Sequence, residues 1–489
     1  MIGAPKAPDG AKVQRLIPFG YVLNCSRHFV LQVRDPVRSR RFIGELVAGD
    51  LITNATVKKE DVTEMKDRGK CPANIGFTFR GLEKLQLRVP YQRVFQEKAK
   101  AFVQGASARA AQYLADSGPS AAQCWDKRFA PDHAHVLLSV YADTHAELKQ
   151  FAATLRGIPG AGGLSGWTQP FEGCQLTDTS EFRTEHFGFR DGISNPVIEG
   201  FPPNKPNAHA PGEFLLGYPN DDKFNPWLLI NPSTKPNPWL RPLNPAPQLT
   251  EFFRDGSFAA FRQLAQDVQR FQDSVERWAT QLGGGQDPEK WQDYVKAKLG
   301  GRWWNGAVVQ PGRNDPPPRC DGYLDTKKLN DFDFSEDTRA HGCPFGAHIR
   351  RMNPRKDPVV PFPQRPLIRR GMPYGPTVKQ EPDAPRGLLG LFFCASLEDQ
   401  FELLLSQWGN ANPLGPDDRG NARDPLASNR QHPGACFDIP IPGEALRQLD
   451  GFSGFVTTRG TLYAFFPSVD TVGRIARCGP PAHPRAPAR

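Results

Sequence analysis

Residues 388–408 read LLGLFFCASLEDQFELLLSQW and contain the clearest structural signal in the chain. The first eight residues are apolar and include two phenylalanines, which strongly predicts a strand. Ser396 and Asp399 then stand at the cap and first turn of a helix, and apolar residues recur every three or four positions as far as Trp408. This stretch therefore predicts a strand that leads directly into a helix.

Two similar units lie in the first third of the chain. RHFVLQV at 27–33 is followed by Asp35-Pro36, an N-cap and first-turn proline, and by an apolar-periodic run that ends at Gly49. VLLSVY at 136–141 leads into a capping box that opens a second helix. With IGFTF at 75–79 as a further strand, these repeated units indicate an α+β fold made of two related halves of the split βαβ type.

The length of 489 residues exceeds what one hydrophobic core usually serves. We therefore expect two ferredoxin-like halves, each an antiparallel sheet with peripheral helices, at residues 1–200 and 201–478, followed by a mobile tail at 479–489. The proline-rich stretch 202–247 reads as an ordered loop, since Trp227 and Trp239 need burial. Apolar residues spaced by three or four from Phe258 to Leu282 predict one long amphipathic helix that ends at a glycine triplet.

Composition excludes several classes of protein. Hydrophobic residues make up 38% of the chain, too many for a disordered protein, while apolar runs stay far below the roughly 18 residues of a membrane span. A net charge of +9 does not by itself indicate nucleic acid. The nine cysteines are odd in number and form no CxxC pair, and no signal peptide is visible at the N-terminus. We expect reduced thiols and a cytoplasmic protein that binds neither nucleic acid nor membrane.

Three short strings combine turn-forming residues with chemically active side chains. They are GFRDGISNP at 188–196, HGCPFGAHIRRMNPR at 341–355 and IRRGMPYG at 368–375. Each alone is weak, because a Gly-Asp-Gly turn is usually only a turn and a single histidine is usually structural. Together, and in this order, they resemble the dye-decolourising peroxidases.

The resemblance extends over roughly residues 18–470. It implies the dimeric α+β barrel-like superfamily of folds and one haem b per chain, held mainly by the C-terminal half. It also implies three roles: Asp191 as the distal acid, Arg369 as the distal arginine and His348 as the proximal iron ligand. Gly390 and Cys394 depart from the family pattern in a strand beside the distal pocket.

Peroxide chemistry uses these residue types well. An acid can take one proton from hydrogen peroxide and deliver it to the other oxygen, while an arginine stabilises the charge that develops. A proximal histidine should donate its second N–H to a carboxylate, for which Asp424 is the candidate. Leu391 and Phe393, which alternate along one strand, would form an apolar ceiling over the distal side.

We therefore expect a haem peroxidase that uses hydrogen peroxide to oxidise aromatic or phenolic reductants and dyes. The alternative is a haem-binding or haem-delivery protein of the same fold without significant turnover. A zinc site built from Cys320, His341, Cys343 and His348 is a third reading, but it gives Asp191 and Arg369 no use. The sequence does not identify the physiological reductant, and it is compatible with an oligomer.

Overall fold

A computed structural model describes most of the chain. The described residues are 7–67, 69–176, 183–203, 207–227, 247–309, 329–330, 332–359, 364–411, 423–428, 436–441, 443–444, 446–452 and 454–478. The predicted mobile tail and Trp239 lie outside these ranges, whereas Trp227 is described and buried.

Strands and helices are distributed over both halves of the chain. The strands are β1 (Cys25–Val33), β2 (Ala73–Phe77), β3 (Val136–Ala142), β4 (Leu164–Ser165), β5 (Phe171–Cys174), β6 (Ser257–Gln266), β7 (Ile368–Tyr374), β8 (Gly387–Cys394), β9 (Phe437–Ile439), β10 (Arg447–Leu449) and β11 (Val456–Phe466). The α-helices are α1 (Pro36–Ala48), α2 (Lys59–Asp67), α3 (Phe79–Lys84), α4 (Val89–Lys98), α5 (Lys100–Gln104), α6 (Ala106–Tyr113), α7 (His145–Gly157), α8 (Pro247–Phe253), α9 (Val268–Gly283), α10 (Pro288–Gly300), α11 (His348–Met352) and α12 (Val469–Ala476).

The main sheet repeats one strand order twice. Its strands lie in the order β4-β1-β3-β2-β11-β6-β8-β7, with β5 also paired to β1. In the first half, strands β1 to β4 lie in the order 4-1-3-2. In the second half, β6, β7, β8 and β11, taken as the first to fourth strands, lie in the same order, which is the ferredoxin-like arrangement. The predicted α+β fold with two ferredoxin-like halves is thereby confirmed, while the predicted boundary at residue 200 stays a prediction.

The two halves meet along both edges of their sheets. Phe77 of β2 pairs with Phe465 of β11 at one junction. At the other, β5 packs against β7, and a β-carbon on Gly173 would lie 2.6 Å from the carbonyl oxygen of Pro373. The larger hydrophobic cluster accordingly contains side chains of both halves, such as Phe29 and Phe261. The larger cluster therefore spans both repeats.

Local sequence signals explain the first half. The Asp35 side chain accepts hydrogen bonds from the N–H groups of Val37 and Arg38, which starts α1. Thr144 and Glu147 form the predicted capping box of α7. The strand predicted at 75–79 instead ends at Phe77, because the Thr78 hydroxyl caps α3.

The long helix predicted from Phe258 onward is wrong in its first third. Residues Ser257–Gln266 form β6, and the helix α9 begins only at Val268, capped by the Asp267 side chain. An apolar spacing of three or four also fits a strand that is buried on both faces. Pairing with β8 and β11 favours the strand over the helix, since it satisfies the backbone hydrogen bonds of the segment. The helix ends at Gly283, at the predicted glycines.

The strand of the opening stretch, 388–395, is confirmed as β8, and Ser396 accepts a hydrogen bond from the N–H of Asp399 as a cap. The helix that follows is π-helical, over Leu397–Glu402 and Leu404–Gly409. A second hydrophobic cluster packs α9 and α10 against Phe187, Cys343 and Ala347. It thereby supports the two segments that carry Asp191 and His348.

One cysteine pair corrects the expectation of reduced thiols. Cys25 and Cys174 face each other on β1 and β5 and form a disulfide, with 4.1 Å between their Cα atoms. Sequence spacing could not show this, since 149 positions separate them and only strand pairing brings them together. The compartment stays a prediction. None of the helices described in this structure combines the length and apolar character that a membrane crossing needs.

Candidate active site

A cavity of about 700 Å³ lies between the sheet of the second half and the segments that cover it. Strands β6, β7 and β8 form one wall, and α11 and the segment 183–196 contribute others. Asp191, His348 and Arg369, which are far apart in the chain, all line it. The structure thus brings together the three side chains that the strings predicted.

His348 is the first residue of α11 and is held by a buried carboxylate. Its Nδ1 lies 2.7 Å from Oδ2 of Asp424, and Oδ1 of Asp424 accepts hydrogen bonds from the N–H groups of Leu426 and Ala427. Burial by itself raises the pKa of Asp424, but His348 and these N–H groups outweigh it and lower that pKa. An ionised Asp424 keeps the proton on Nδ1 and leaves Nε2 for a ligand.

Asp191 stands on a tight turn, residues 183–192, which we call the Asp191 turn. Thr184 and Arg190 pair across it as a β-bridge, and the Asp191 N–H donates to the carbonyl of Arg183. Gly188 and Gly192 adopt positive φ angles of 91° and 76°, which glycine tolerates best. This geometry explains why the acid is flanked by glycines.

Arg369 faces the cavity from β7. Its N–H donates to Oδ1 of Asn195, and its Nη2 donates to the carbonyl of Ser194 over 2.5 Å. These contacts tie the strand to the segment that follows the Asp191 turn. Burial lowers the pKa of Arg369, while the charge of Asp191 acts in the opposite direction.

Several further arginines line the same cavity, and three of them interact with one another and with Arg369. We call the set of Arg190, Arg302, Arg355 and Arg369 the arginine cluster. Burial, together with the charges of the other three arginines, lowers the pKa of Arg302 to about 9. Nη1 of Arg355 is buried and has no hydrogen-bond partner among the described residues. So much positive charge, with an unused donor, fits an anionic ligand such as the propionates of haem.

Sequence reasoning did not anticipate this cluster. Arg190 and Arg355 lie in strings that carry the family resemblance, but nothing local shows that they share one cavity. Arg350, in the same basic string, instead bonds Asp337 and Asp357 and lies buried. Only the tertiary structure separates the arginine that faces the cavity from the one that braces the fold.

The prediction that Leu391 and Phe393 form an apolar ceiling over the cavity is wrong, because the opposite face of their strand meets the cavity. Leu391 and Phe393 belong to the larger hydrophobic core, where Phe393 contacts Phe466, and they are not among the described side chains that line the cavity. Leu388 and Phe392 line it instead. Successive side chains of a strand point to opposite faces, and β8 is apolar on both, so its sequence cannot show which face meets the cavity.

Comparison with known proteins bears on this site. The family model described as the DyP dimeric alpha+beta barrel domain matches residues 29–162. Peroxidase 2 of Mycetinis scorodonius is 30% identical over 398 residues, which are 74% of this chain and 69% of that protein. The chain belongs to the dye-decolourising peroxidase family.

Other relatives of this dye-decolourising peroxidase support the same family assignment. Dye-decolorizing peroxidase msp1 of the same fungus is 32% identical over 59% of this chain, and the chain spans only 56% of that protein's length. A solved ancestral D-type dye decolorizing peroxidase is 27% identical, with a TM-score of 0.76 over 96% of this chain and 99% of that one. Members of the family are peroxidase enzymes that use haem, so the predicted enzyme class and cofactor class are confirmed at the level of the family.

The zinc reading finds no support among the described residues. His341, Cys343 and His348 do not come together as a group of metal ligands there, and Cys320 lies outside the described ranges. Burial raises the pKa of Cys343 to about 12, which keeps it a neutral thiol. The described group with suitable ligand atoms is Cys25, His145 and Cys174, and its two sulfurs are joined in the disulfide.

Proposed function

We propose that this dye-decolourising peroxidase reduces hydrogen peroxide and oxidises bulky aromatic or phenolic compounds, including dyes. The proposal assigns one haem b to the chain, with His348 as iron ligand, Asp191 as acid–base group and Arg369 as charge stabiliser. One observation carries it: a single cavity joins a carboxylate-backed imidazole, an acid on a turn and an excess of arginines.

Haem b, when bound, supplies an iron that passes two electrons to hydrogen peroxide and recovers them singly from two reductant molecules, so that each cycle yields two water molecules. Asp191 takes the proton from one peroxide oxygen and returns it to the other, which leaves as water. Arg369 keeps its charge and donates hydrogen bonds where negative charge develops as the O–O bond breaks.

His348 and the arginine cluster serve binding. Asp424 accepts the Nδ1 proton of His348, which orients the ring and makes Nε2 a better electron donor. Arg355 offers the unused donor of its Nη1 to an anionic group, which suits a haem propionate. Together, these residues would hold the cofactor in the cavity that Asp191 lines.

Haem titration followed by a peroxide assay tests the proposal. The chain should take up one equivalent of haem, show an intense Soret band, and then bleach an anthraquinone dye and oxidise a phenol only when hydrogen peroxide is added. A Soret band without turnover would favour the haem-binding or haem-delivery alternative. Failure to bind haem would overturn both.

A further inference from the structure

The disulfide between β1 and β5 lies beside the cavity. Cys174 ends β5, and the next residue, Gln175, lines the cavity and places its side-chain amide 3.4 Å from Sδ of Met372, another lining residue. Cys174 is partly exposed, whereas only 5% of the Cys25 surface is exposed. A small solute such as hydrogen peroxide therefore reaches Cys174 more readily than Cys25.

Cys174 also faces a histidine that is backed by a carboxylate. Nε2 of His145 lies 3.3 Å from Sγ of Cys174, and Nδ1 of the same ring lies 3.5 Å from Oε2 of Glu172. A neutral imidazole in this position can take the proton of a thiol and so raise the fraction of reactive thiolate. The oxidised pair has no thiol proton, so the histidine matters when the disulfide is reduced.

The other charged side chains around this histidine are engaged elsewhere. Glu172 also pairs with Arg27 of β1. Glu147 of α7 accepts hydrogen bonds from two backbone N–H groups just before that helix. On β7, Arg370 donates to two backbone carbonyls. The histidine is therefore the described basic side chain that is placed to exchange a proton with the sulfur.

Cys25 has a different environment. Its Sγ lies 3.7 Å from the carbonyl oxygen of Asp143, within hydrogen-bond distance for sulfur, so its reduced thiol can donate there and keep its proton. Cys25 and Cys174 occupy paired positions of β1 and β5, which keeps the two sulfurs together when the bond between them is open. The pair thus combines one accessible sulfur beside a histidine with one shielded sulfur.

We propose that Cys174 is a peroxide-reactive thiol and that hydrogen peroxide closes its disulfide with Cys25. His145 takes the Cys174 proton, and the thiolate attacks one peroxide oxygen. The O–O bond breaks, and the departing oxygen takes the proton from His145 and leaves as water. Cys174 then carries a sulfenic acid.

Cys25 completes the reaction. Its sulfur attacks the sulfur of Cys174, the S–O bond breaks, and the hydroxyl leaves as water with the Cys25 proton. In total, two thiols are oxidised and one hydrogen peroxide is reduced to two water molecules. This activity goes beyond the proposed function, since haem takes no part in it. It would join β5 to β1 where Gly173 of β5 packs against β7, at a junction of the two halves.

The test uses the haem-loaded Asp191→Asn variant, because the proposed function predicts that its haem consumes peroxide slowly. The disulfide is first reduced with dithiothreitol, which is then removed. Hydrogen peroxide is added, and alkylation followed by mass spectrometry measures each thiol over time. Cys174 should be lost at least about threefold faster than the exposed Cys124, with the disulfide to Cys25 forming in its place. The factor is modest because a lower thiol pKa gives more thiolate but a weaker nucleophile.

His145→Ala tests the histidine. Its side chain is 57% exposed, so the variant should fold. Oxidation of Cys174 should slow at least about threefold at neutral pH, and its pH dependence should move up to that of a free cysteine, about pH 8.5. His133→Ala, at an exposed histidine outside this group, is the matched control and should change neither.

Single cysteine variants identify the sulfur that reacts first. Cys25→Ser should accumulate a sulfenic acid on Cys174, which a dimedone adduct reports, whereas Cys174→Ser should form none on Cys25 within the same time. A sulfenic acid on Cys25, a Cys174 that reacts no faster than Cys124, or a pH dependence unmoved by His145→Ala would each overturn the proposal.

The haem provides the last comparison. Oxidation of Cys174 in the haem-loaded parent but not in Asp191→Asn would show that the haem oxidises the thiol, and the proposal would be wrong. A parent without peroxidase turnover would overturn the proposed function but leave the reaction of Cys174 intact.

Discussion

A β-carbon at Gly371 would lie 3.1 Å from Oδ2 of Asp191. The backbone of strand β7 therefore lies next to the Asp191 carboxylate at Gly371. The same strand carries Arg369 two residues earlier. Because the φ angle of Gly371 is not positive, its role here is to leave room rather than to allow an unusual backbone. The position of the Asp191 carboxylate therefore depends on having glycine, which has no side chain, at position 371.

Gly371→Ala should move the Asp191 carboxylate by a few tenths of an ångström without unfolding the strand. We expect haem content to be unchanged and the peroxide reaction to slow by less than the roughly 100-fold that a 1 Å misplacement can produce. Stopped-flow spectroscopy measures the rate. Gly157→Ala, where a β-carbon meets nothing within 4 Å, is the matched control, and equal rates in both variants would contradict the contact.

His348→Ala should lose stable haem binding, because the proposed bond from protein to iron is removed. Asp424→Asn should instead retain haem but raise its reduction potential, since the imidazole loses its anionic partner. Soret absorbance and a redox titration distinguish the two variants. Full haem content in His348→Ala would show that another residue is the ligand.

Arg369→Leu should slow the reaction with peroxide by about 100-fold while haem content changes little, because the guanidinium acts on developing charge. Arg369→Lys retains the charge without the two-pronged donor geometry and should lie between the parent and Arg369→Leu. Rapid-mixing measurements at a fixed haem loading test this order. A Leu variant as fast as the parent would remove Arg369 from the mechanism.

Dye oxidation should be fastest in acid if Asp191 moves the proton, because aspartic acids titrate at lower pH than histidines. Asp191→Asn should lose at least about 100-fold of the peroxide reaction at every pH. Asp191→His should shift the pH profile upward. Turnover measured from acid to alkaline pH checks all three; a parent optimum at neutral pH would count against Asp191 as the proton carrier.

The disulfide should contribute to stability, since it closes a loop across 149 positions. Cys25→Ser should lower the free energy of unfolding by about 2–5 kcal/mol, as measured by denaturant titration. Cys124→Ser, at an exposed free cysteine, is the control and should change little. Labelling of unfolded protein with a thiol reagent, with and without reduction, should reveal two additional thiols after reduction.

Local interactions made part of this structure predictable from sequence. Asp35 and Thr144 cap helices through groups two or three residues away, so their patterns predict α1 and α7 correctly. The repeated strand-helix units also depend on residues that are close together in the sequence, so they predicted the two halves correctly. Asp191, His348 and Arg369 were identified because each lies in a string that resembles the family, and the structure places all three at one cavity.

Contacts between distant segments decided the rest. β6 is a strand because β8 and β11 pair with it, and the face of β8 that meets the cavity follows from the sheet, since both faces are apolar. The joining of Cys25 to Cys174 requires two strands that approach each other only in the folded chain. Burial and charge at these sites depend on neighbours far away in sequence, so only the tertiary structure determines them.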